Sequence, residues 1–130
     1  MDRGQVKVLT DTHALVWALA NPGSLSERAR QVLTQSEVTV SVANLWELLL
    51  KRHKPGALLA DPLPWWEKYV HESGISALTI RTAHVMALGR LPELHKDPFD
   101  RILVAQSRVE KLPLVTKDTA LARYGISVIW

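Results

Sequence analysis

The chain has 130 residues, 47% hydrophobic and 22% charged, a composition typical of a soluble globular protein, and we expect one domain over residues 1–130. No run of about 18 apolar residues predicts a transmembrane span, and the start does not resemble a signal peptide. The absence of cysteine excludes disulfides and thiolate metal sites and fits a reducing compartment, so we expect a cytoplasmic protein with no membrane partner.

The net charge of +3 is the balance of 16 lysine and arginine residues against 13 aspartate and glutamate residues. If several of the acids gather in one site, the rest of the surface is clearly basic. Such a surface suits a polyanion held by its phosphates, although a modest basic excess usually indicates only solubility.

The first half of the chain alternates short apolar runs with helical patterns. The predicted elements are a buried strand over 6–10, an apolar helix over 14–19, a helix from the capping-box spacing of Ser24 and Glu27 to about Ser36, a strand over 38–40, and a helix over 42–53 capped by Ser41. Asp11 therefore follows the first strand directly. Glu47 is the only charge in the apolar middle of its helix.

The second half continues this alternation. The predicted elements are a helix over 61–74, a strand over 75–78, a helix through Leu88 capped by Thr79 or Thr82, a helix over 97–111, a strand over 112–115, a short helix from Thr119 to Gly125 and a strand over 126–129. Strands separated by helices predict an α/β fold, with a mostly parallel sheet of about five strands covered on both faces.

Two acids flank the start of the helix over 97–111. Proline is well tolerated at the first helical position, so Pro98 makes Asp97 the predicted cap, and Asp100 lies one turn further on the same face. Ligands of open parallel sheets bind beyond the carboxyl ends of the strands, where Asp11 and Asp118 are also predicted to lie. The acids are thus far apart in sequence and could meet in space.

A structural alternative is that Asp11, Asp97 and Asp118 only cap their own helices. Glu47 argues against it, because a charge among leucines in a helix interior is costly unless it is compensated, although Lys51 four residues later is a possible helical partner. If the carboxylates converge, they repel one another unless cations lie between them. Oxygen ligands select hard divalent ions, so the sequence predicts Mg²⁺ or Mn²⁺ and hydrolysis of a nucleic-acid backbone.

Four segments together resemble the PIN-domain ribonucleases, specifically the VapC toxins of bacterial toxin–antitoxin pairs. They are residues 9–17 (LTDTHALVW), 41–47 (SVANLWE), 95–101 (HKDPFDR) and 116–118 (TKD). The resemblance covers nearly the whole chain. It implies a three-layer α/β/α PIN fold with a central sheet of about five strands, and an Mg²⁺- or Mn²⁺-dependent endoribonuclease acting on RNA phosphodiester bonds.

The resemblance also implies the residues of the site and the partners of the chain. The catalytic and metal-binding acids it implies are Asp11, Glu47, Asp97, Asp100 and Asp118, with either Asp97 or Asp100 as the closer metal ligand. Ser41 and Thr116 match polar positions near the metals, and Arg101 matches a position that meets phosphate or a partner. The expected partners are an RNA substrate, a cognate VapB-like antitoxin that blocks the acids, and a second copy of the chain in a homodimer.

Two other functions remain open from the residues. A phosphatase would use Asp11 as its nucleophile, but the usual second acid two residues later is replaced by His13. A non-catalytic module would hold RNA or protein through basic residues. We expect Trp17 and Trp46 to be buried, and we assign no site role to His13 or His95.

Overall fold

The computed structural model describes residues 6–130, so residues 1–5 of the expected domain lie outside the described residues. Its strands are β1 (Lys7–Thr10), β2 (Glu37–Ser41), β3 (Ser76–Leu78), β4 (Leu114–Val115) and β5 (Val128–Ile129). They form one sheet in the order β3-β2-β1-β4-β5, and every pairing is parallel.

Helices cover both faces of this sheet. They are α1 (Thr12–Ala20), α2 (Glu27–Gln35), α3 (Val42–Lys51), α4 (Pro62–Trp66), α5 (Thr82–Gly89) and α6 (Pro98–Glu110). Helix α4 continues as a π-helical segment over Glu67–His71, and 3₁₀ segments cover Pro22–Ser24 and Thr119–Tyr124. The predicted three-layer α/β/α fold with five strands is confirmed.

The strands are apolar on both sides because both sides are covered. Val8 and Leu9 are neighbours on β1, point to opposite faces and are fully buried. Leu9 packs in a cluster with Leu103 of α6, whereas Val8 packs with Ala14 of α1 and Ala29 of α2. Two apolar cores therefore lie on the two faces of the sheet.

The strand order fixes where a ligand can bind. The chain passes from β1 outward to β2 and β3, and then returns to the other side of β1 to form β4 and β5. A crevice opens at such a reversal, beyond the carboxyl ends of the two strands that flank it. Here those strands are β1 and β4, and the backbone N–H of Asp11 donates to the carbonyl of Val115 at 3.0 Å.

Two predicted helix caps are wrong. Helix α2 is capped by Ser26, whose hydroxyl accepts the N–H of Ala29 at 3.0 Å, while Ser24 lies in the preceding 3₁₀ turn. Neither predicted threonine caps α5. Instead, Nδ1 of the buried His84 accepts the backbone N–H of Arg81 at 3.0 Å.

The expectation that Trp46 is buried is also wrong, since 56% of it is exposed. Residues adjacent in a helix point about 100° apart, and its neighbour Glu47 is turned inward with only 7% exposure. The Trp46 ring packs edge-on against Phe99. Trp17 is half-buried beside Trp130.

Among the helices of the described chain, none has the length and apolar character needed to cross a bilayer.

The central position of α6 gives a prediction on stability. Leu103 is 1% exposed in the core between α6 and the sheet, so Leu103→Ala should lower the free energy of unfolding by about 2–5 kcal/mol. Urea denaturation measures this loss. Val85→Ala, on the exposed side of α5, is the control and should change stability by less than about 0.5 kcal/mol. Equal losses in the two variants would contradict the described core.

Candidate active site

A cleft of about 440 Å³ opens at the carboxyl ends of β1 and β4. Five acids from four separate segments line it, and they are the five that the sequence singled out: Asp11, Glu47, Asp97, Asp100 and Asp118. The structure therefore brings together every acid of the predicted site.

Asp11 joins β1 to α1 and has both carboxylate oxygens engaged. Its Oδ1 accepts the backbone N–H of Ala14 at 2.8 Å, which caps α1, and its Oδ2 accepts the hydroxyl of Thr116 at 2.6 Å. Burial raises the pKa of Asp11 above its ordinary value, although these two hydrogen bonds favour the charged form. Asp11 thus caps a helix and also faces the cleft.

Glu47 reaches the cleft from the sixth position of α3. Its Oε1 accepts the hydroxyl of Thr12 at 2.5 Å, and that hydroxyl in turn accepts the amide of Asn44 at 3.1 Å. Its Oε2 lies 2.6 Å from Nζ of Lys51, one turn further along the same helix. The charge in this apolar helix is therefore compensated by a lysine and by a buried chain of hydrogen bonds.

Asp97 and Asp100 lie at the start of α6 and differ in how they are bound. Oδ1 of Asp97 accepts the backbone N–H groups of Phe99 and Asp100 at 2.8 and 3.1 Å, as expected of a helix cap. No hydrogen bond to the carboxylate of Asp100 is found within residues 6–130. Burial, followed by the neighbouring charge of Asp97, raises the pKa of Asp100 to about 7.

Asp118 follows β4 and contacts a histidine to which the sequence gave no role. Nε2 of His95 lies 3.0 Å from Oδ2 of Asp118 and 3.5 Å from Oδ2 of Asp100. Because Nδ1 of His95 accepts the N–H of Asp97 at 3.1 Å, the proton of a neutral His95 lies on Nε2, facing the two acids. In the sequence, the one sign that His95 belongs to the site was its position two residues before Asp97.

Lysines surround the acids as well. Nζ of Lys51 lies 3.7 Å from Oδ2 of Asp97 in addition to its contact with Glu47. Burial alone lowers the pKa of Lys51, but the hydrogen bond and charge of Glu47, with smaller contributions from Asp97 and Asp100, raise it overall. Lys117 also lines the cleft, with its Nζ 5.9 Å from the centre of the Trp17 ring.

The three polar residues implied by the family resemblance lie in different surroundings. Thr116 is buried at the cleft, where it donates to Asp11 and accepts the N–H of Asp118 at 3.0 Å. Ser41 is buried as the cap of α3. Arg101 donates to the Pro92 carbonyl at 2.9 Å and to the Tyr124 hydroxyl at 3.2 Å, so its guanidinium is bound within the fold and is not among the residues that line the cleft.

The donor set suits a hard divalent cation. Five of the ten residues that line the cleft are acids, and His95, Asp100 and Asp118 each offer a ligand atom within 4.8 Å of the others. Lys51 holds an ammonium between two of the carboxylates, which indicates that this position favours positive charge. The residues therefore fit a cation of the Mg²⁺ or Mn²⁺ type.

Comparison with protein families identifies the family to which this chain belongs. The family model described as the PIN domain matches residues 8–126. The chain belongs to the PIN-domain family. A comparison with curated protein sequences finds no match.

Solved structures share this PIN fold. The DNA-bound VapBC of Salmonella typhimurium matches with a TM-score of 0.70 and 18% identity over 95% of this chain and 97% of that chain. FitAcB of Neisseria gonorrhoeae matches with a TM-score of 0.68 and 17% identity over 93% and 95%. VapBC2 of Rickettsia felis, bound to a promoter DNA fragment, matches with 0.66 and 14% over 95% and 97%. At these identities the similarity establishes the PIN fold alone.

The raised pKa of Asp100 predicts how stability depends on pH without metal. Between its ordinary pKa of 3.8 and about 7, folded Asp100 keeps a proton that the unfolded chain has lost, so stability falls as pH rises through this window. Asp100→Asn should remove this loss, and we expect it to be more stable than the unsubstituted chain by roughly 1–2 kcal/mol near pH 8. Thermal unfolding in EDTA across this range measures the effect.

The control is Asp61→Asn, at an exposed acid that makes no capping hydrogen bond. This variant should keep the pH dependence of the unsubstituted chain. If Asp100→Asn also kept that pH dependence, Asp100 would not be the acid with the raised pKa.

Proposed function

We propose that this chain is a metal-dependent endoribonuclease, the toxin of a VapBC-like toxin–antitoxin pair, and that it hydrolyses RNA phosphodiester bonds in the cleft described above. The single observation that supports this proposal most strongly is the meeting of five carboxylates at the carboxyl ends of β1 and β4. Helix capping does not account for Glu47, which lies in the interior of α3 and still lines the same cleft as the other four acids.

The proposed ligands of Mg²⁺ or Mn²⁺ are Asp11, Glu47, Asp97, Asp100 and Asp118. Such an ion supplies an activated water and neutralises the developing charge of the phosphate. We propose Asp100 as a closer ligand than Asp97. One oxygen of Asp97 already accepts two backbone N–H groups of α6, whereas neither oxygen of Asp100 accepts a hydrogen bond within residues 6–130.

Other side chains of the cleft would orient the acids and the substrate. Thr116 and Thr12 hold the carboxylates of Asp11 and Glu47 through their hydroxyls. Lys117 lies at the cleft as a cation suited to an RNA phosphate. The Nε2–H group of His95 can donate a hydrogen bond to Asp118, which keeps that carboxylate directed into the cleft.

Cleavage assays test the nuclease proposal directly. Purified chain, free of any partner, should cut RNA when Mg²⁺ or Mn²⁺ is present, and EDTA should stop the reaction. Asp100→Asn and Glu47→Gln should each lower the cleavage rate by roughly 10²-fold or more, because each removes charge from the cation site. Glu72→Gln, at an exposed acid outside the cleft, is the matched control and should cut at the normal rate. Unimpaired cleavage by both cleft variants would contradict the proposal.

We further propose a VapB-like antitoxin as the partner and the cytoplasm as the location. The support is that the matched structures from Salmonella typhimurium and Rickettsia felis are described as VapBC assemblies. An antitoxin that covers the cleft would block RNA. The pairing predicts a small protein encoded next to this chain, and co-expression with it tests the proposal. A neighbour that neither binds the chain nor stops cleavage would argue against it.

We also propose that the single domain over residues 1–130 forms a homodimer. Trp46 and Leu50 are one turn apart on α3 and are 56% and 58% exposed, which is unusual for large apolar side chains on the same helix face.

The oligomeric state is measurable by light scattering during gel filtration. The chain should have a mass of twice 14.6 kDa, and Leu50→Glu should reduce it to one copy because a charge cannot be buried unpaired in an apolar interface. Leu63→Glu, which changes a similarly exposed leucine on α4, should leave the mass unchanged. A monomeric unsubstituted chain would contradict the dimer.

A further inference from the structure

A second pocket of about 130 Å³ lies beside the acidic cleft. The two share Thr12, His13, Glu47 and Lys51, so the salt bridge between Glu47 and Lys51 belongs to the wall between them. A strand of RNA whose phosphate lies among the acids would therefore place a neighbouring nucleotide at this pocket.

The pocket is built by the turn that follows α3. The backbone N–H of Lys54 donates to the carbonyl of Lys51 at 3.1 Å, and the N–H of Ala57 donates to the carbonyl of Lys54 at 3.1 Å. Gly56 lies between them with φ of +78°, a left-handed conformation that glycine adopts without strain. These two turns return the chain to α3, where Ala57 and Leu58 line the pocket.

Both apolar and charged side chains line the pocket. Leu48, Ala57 and Leu58 supply apolar surface, and the charged residues are Glu47, its salt-bridge partner Lys51, and Lys54. A nucleic-acid base needs an apolar surface for its ring, polar groups for its edge and cations near its phosphates. Lys54 lines the pocket and not the cleft, so it offers a cation to a phosphate of a nucleotide whose base is held there.

The size of the pocket limits which base it can hold. A protein cavity of about 150 Å³ accommodates benzene, a single six-membered ring. The pocket beside the cleft is slightly smaller, so it matches the single ring of a pyrimidine better than the double ring of a purine.

We propose that this pocket is a base-binding subsite, sized for a pyrimidine, that holds the nucleotide next to the phosphate cut in the acidic cleft. This inference rests on the proposed nuclease function and adds a preference for sequence to it. The subsite selects RNA segments in which a pyrimidine lies at one fixed position beside the cut.

The test fills the pocket and compares binding with cleavage. Ala57→Trp places a large ring in the pocket, and Ala60→Trp makes the same change at an exposed position of the same loop outside the pocket. Fluorescence anisotropy measures binding of labelled oligouridylate and oligoadenylate of equal length with Ca²⁺. Sequencing of product ends measures cleavage of a random RNA pool with Mn²⁺.

We expect the unsubstituted chain to bind oligouridylate more tightly than oligoadenylate and to cut next to a pyrimidine at one fixed position. Ala57→Trp should weaken oligouridylate binding about tenfold, the scale of one lost base contact, and should remove the preference at that position. Ala60→Trp should retain both. If Ala57→Trp leaves both the binding preference and the cleavage preference intact, the subsite is overturned, and the nuclease proposal is unaffected.

The two proposals can fail separately. Oligouridylate binding that Ala57→Trp weakens, without any cleavage in Mn²⁺, would support base binding in the pocket but overturn the nuclease, and with it the position of the base beside a cut. If Ala57→Trp does not fold, Lys54→Ala and Arg52→Ala form a second pair, because both remove an exposed cation from the same turn and only Lys54 lines the pocket. Lys54→Ala should weaken oligouridylate binding more than Arg52→Ala, and equal effects would overturn the subsite.

Discussion

Repulsion among five carboxylates in one cleft is the constraint on which the rest of this structure depends. Bringing such charges together raises the free energy of the fold unless protons or cations compensate them. Lys51 lies between Glu47 and Asp97, His95 faces Asp118, and Asp100 keeps a proton up to about pH 7. The chain alone thus compensates its acids with an ammonium, an imidazole and a proton. A divalent cation in the cleft would replace part of this compensation.

The acids of the cleft also hold the fold together, so capping and cation binding are not alternatives. Asp11 and Asp97 accept backbone N–H groups at the starts of α1 and α6, and both line the cleft. A parallel sheet explains this double role, because its carboxyl edge is where strands end and helices begin. The second oxygen of Asp97 lies 3.7 Å from Nζ of Lys51, which also lines the cleft, and the second oxygen of Asp11 accepts the hydroxyl of Thr116. Substitution of either residue therefore removes a cap as well as a charge of the proposed site.

The sequence predicted those features that depend on chain order. The alternation of apolar runs indicated parallel strands, and a parallel topology then allowed Asp11, Asp100 and Asp118 to meet beyond the carboxyl ends of the strands. Features that depend on side-chain direction were not predictable in this way. His95 accepts the N–H of Asp97 through Nδ1, which leaves its Nε2 facing Asp118, and Trp46 is exposed because Glu47 takes the inward position of α3. At the start of α5 the side chain that accepts a backbone N–H is that of His84, in the third position of the helix, and not that of a threonine before it.

Diffraction from crystals of the chain soaked in Mn²⁺, recorded at the manganese absorption edge, tests the central claim most directly. The proposed site predicts an anomalous peak in the cleft, bonded to the carboxylate of Asp100 and to neighbouring acids. In that crystal, the manganese ion and Lys51 should together balance the charges of Glu47 and Asp97, which Lys51 contacts without metal. A cleft without a peak at saturating Mn²⁺, with Lys51 still bridging those two acids, would contradict the claim that they form a cation-binding site.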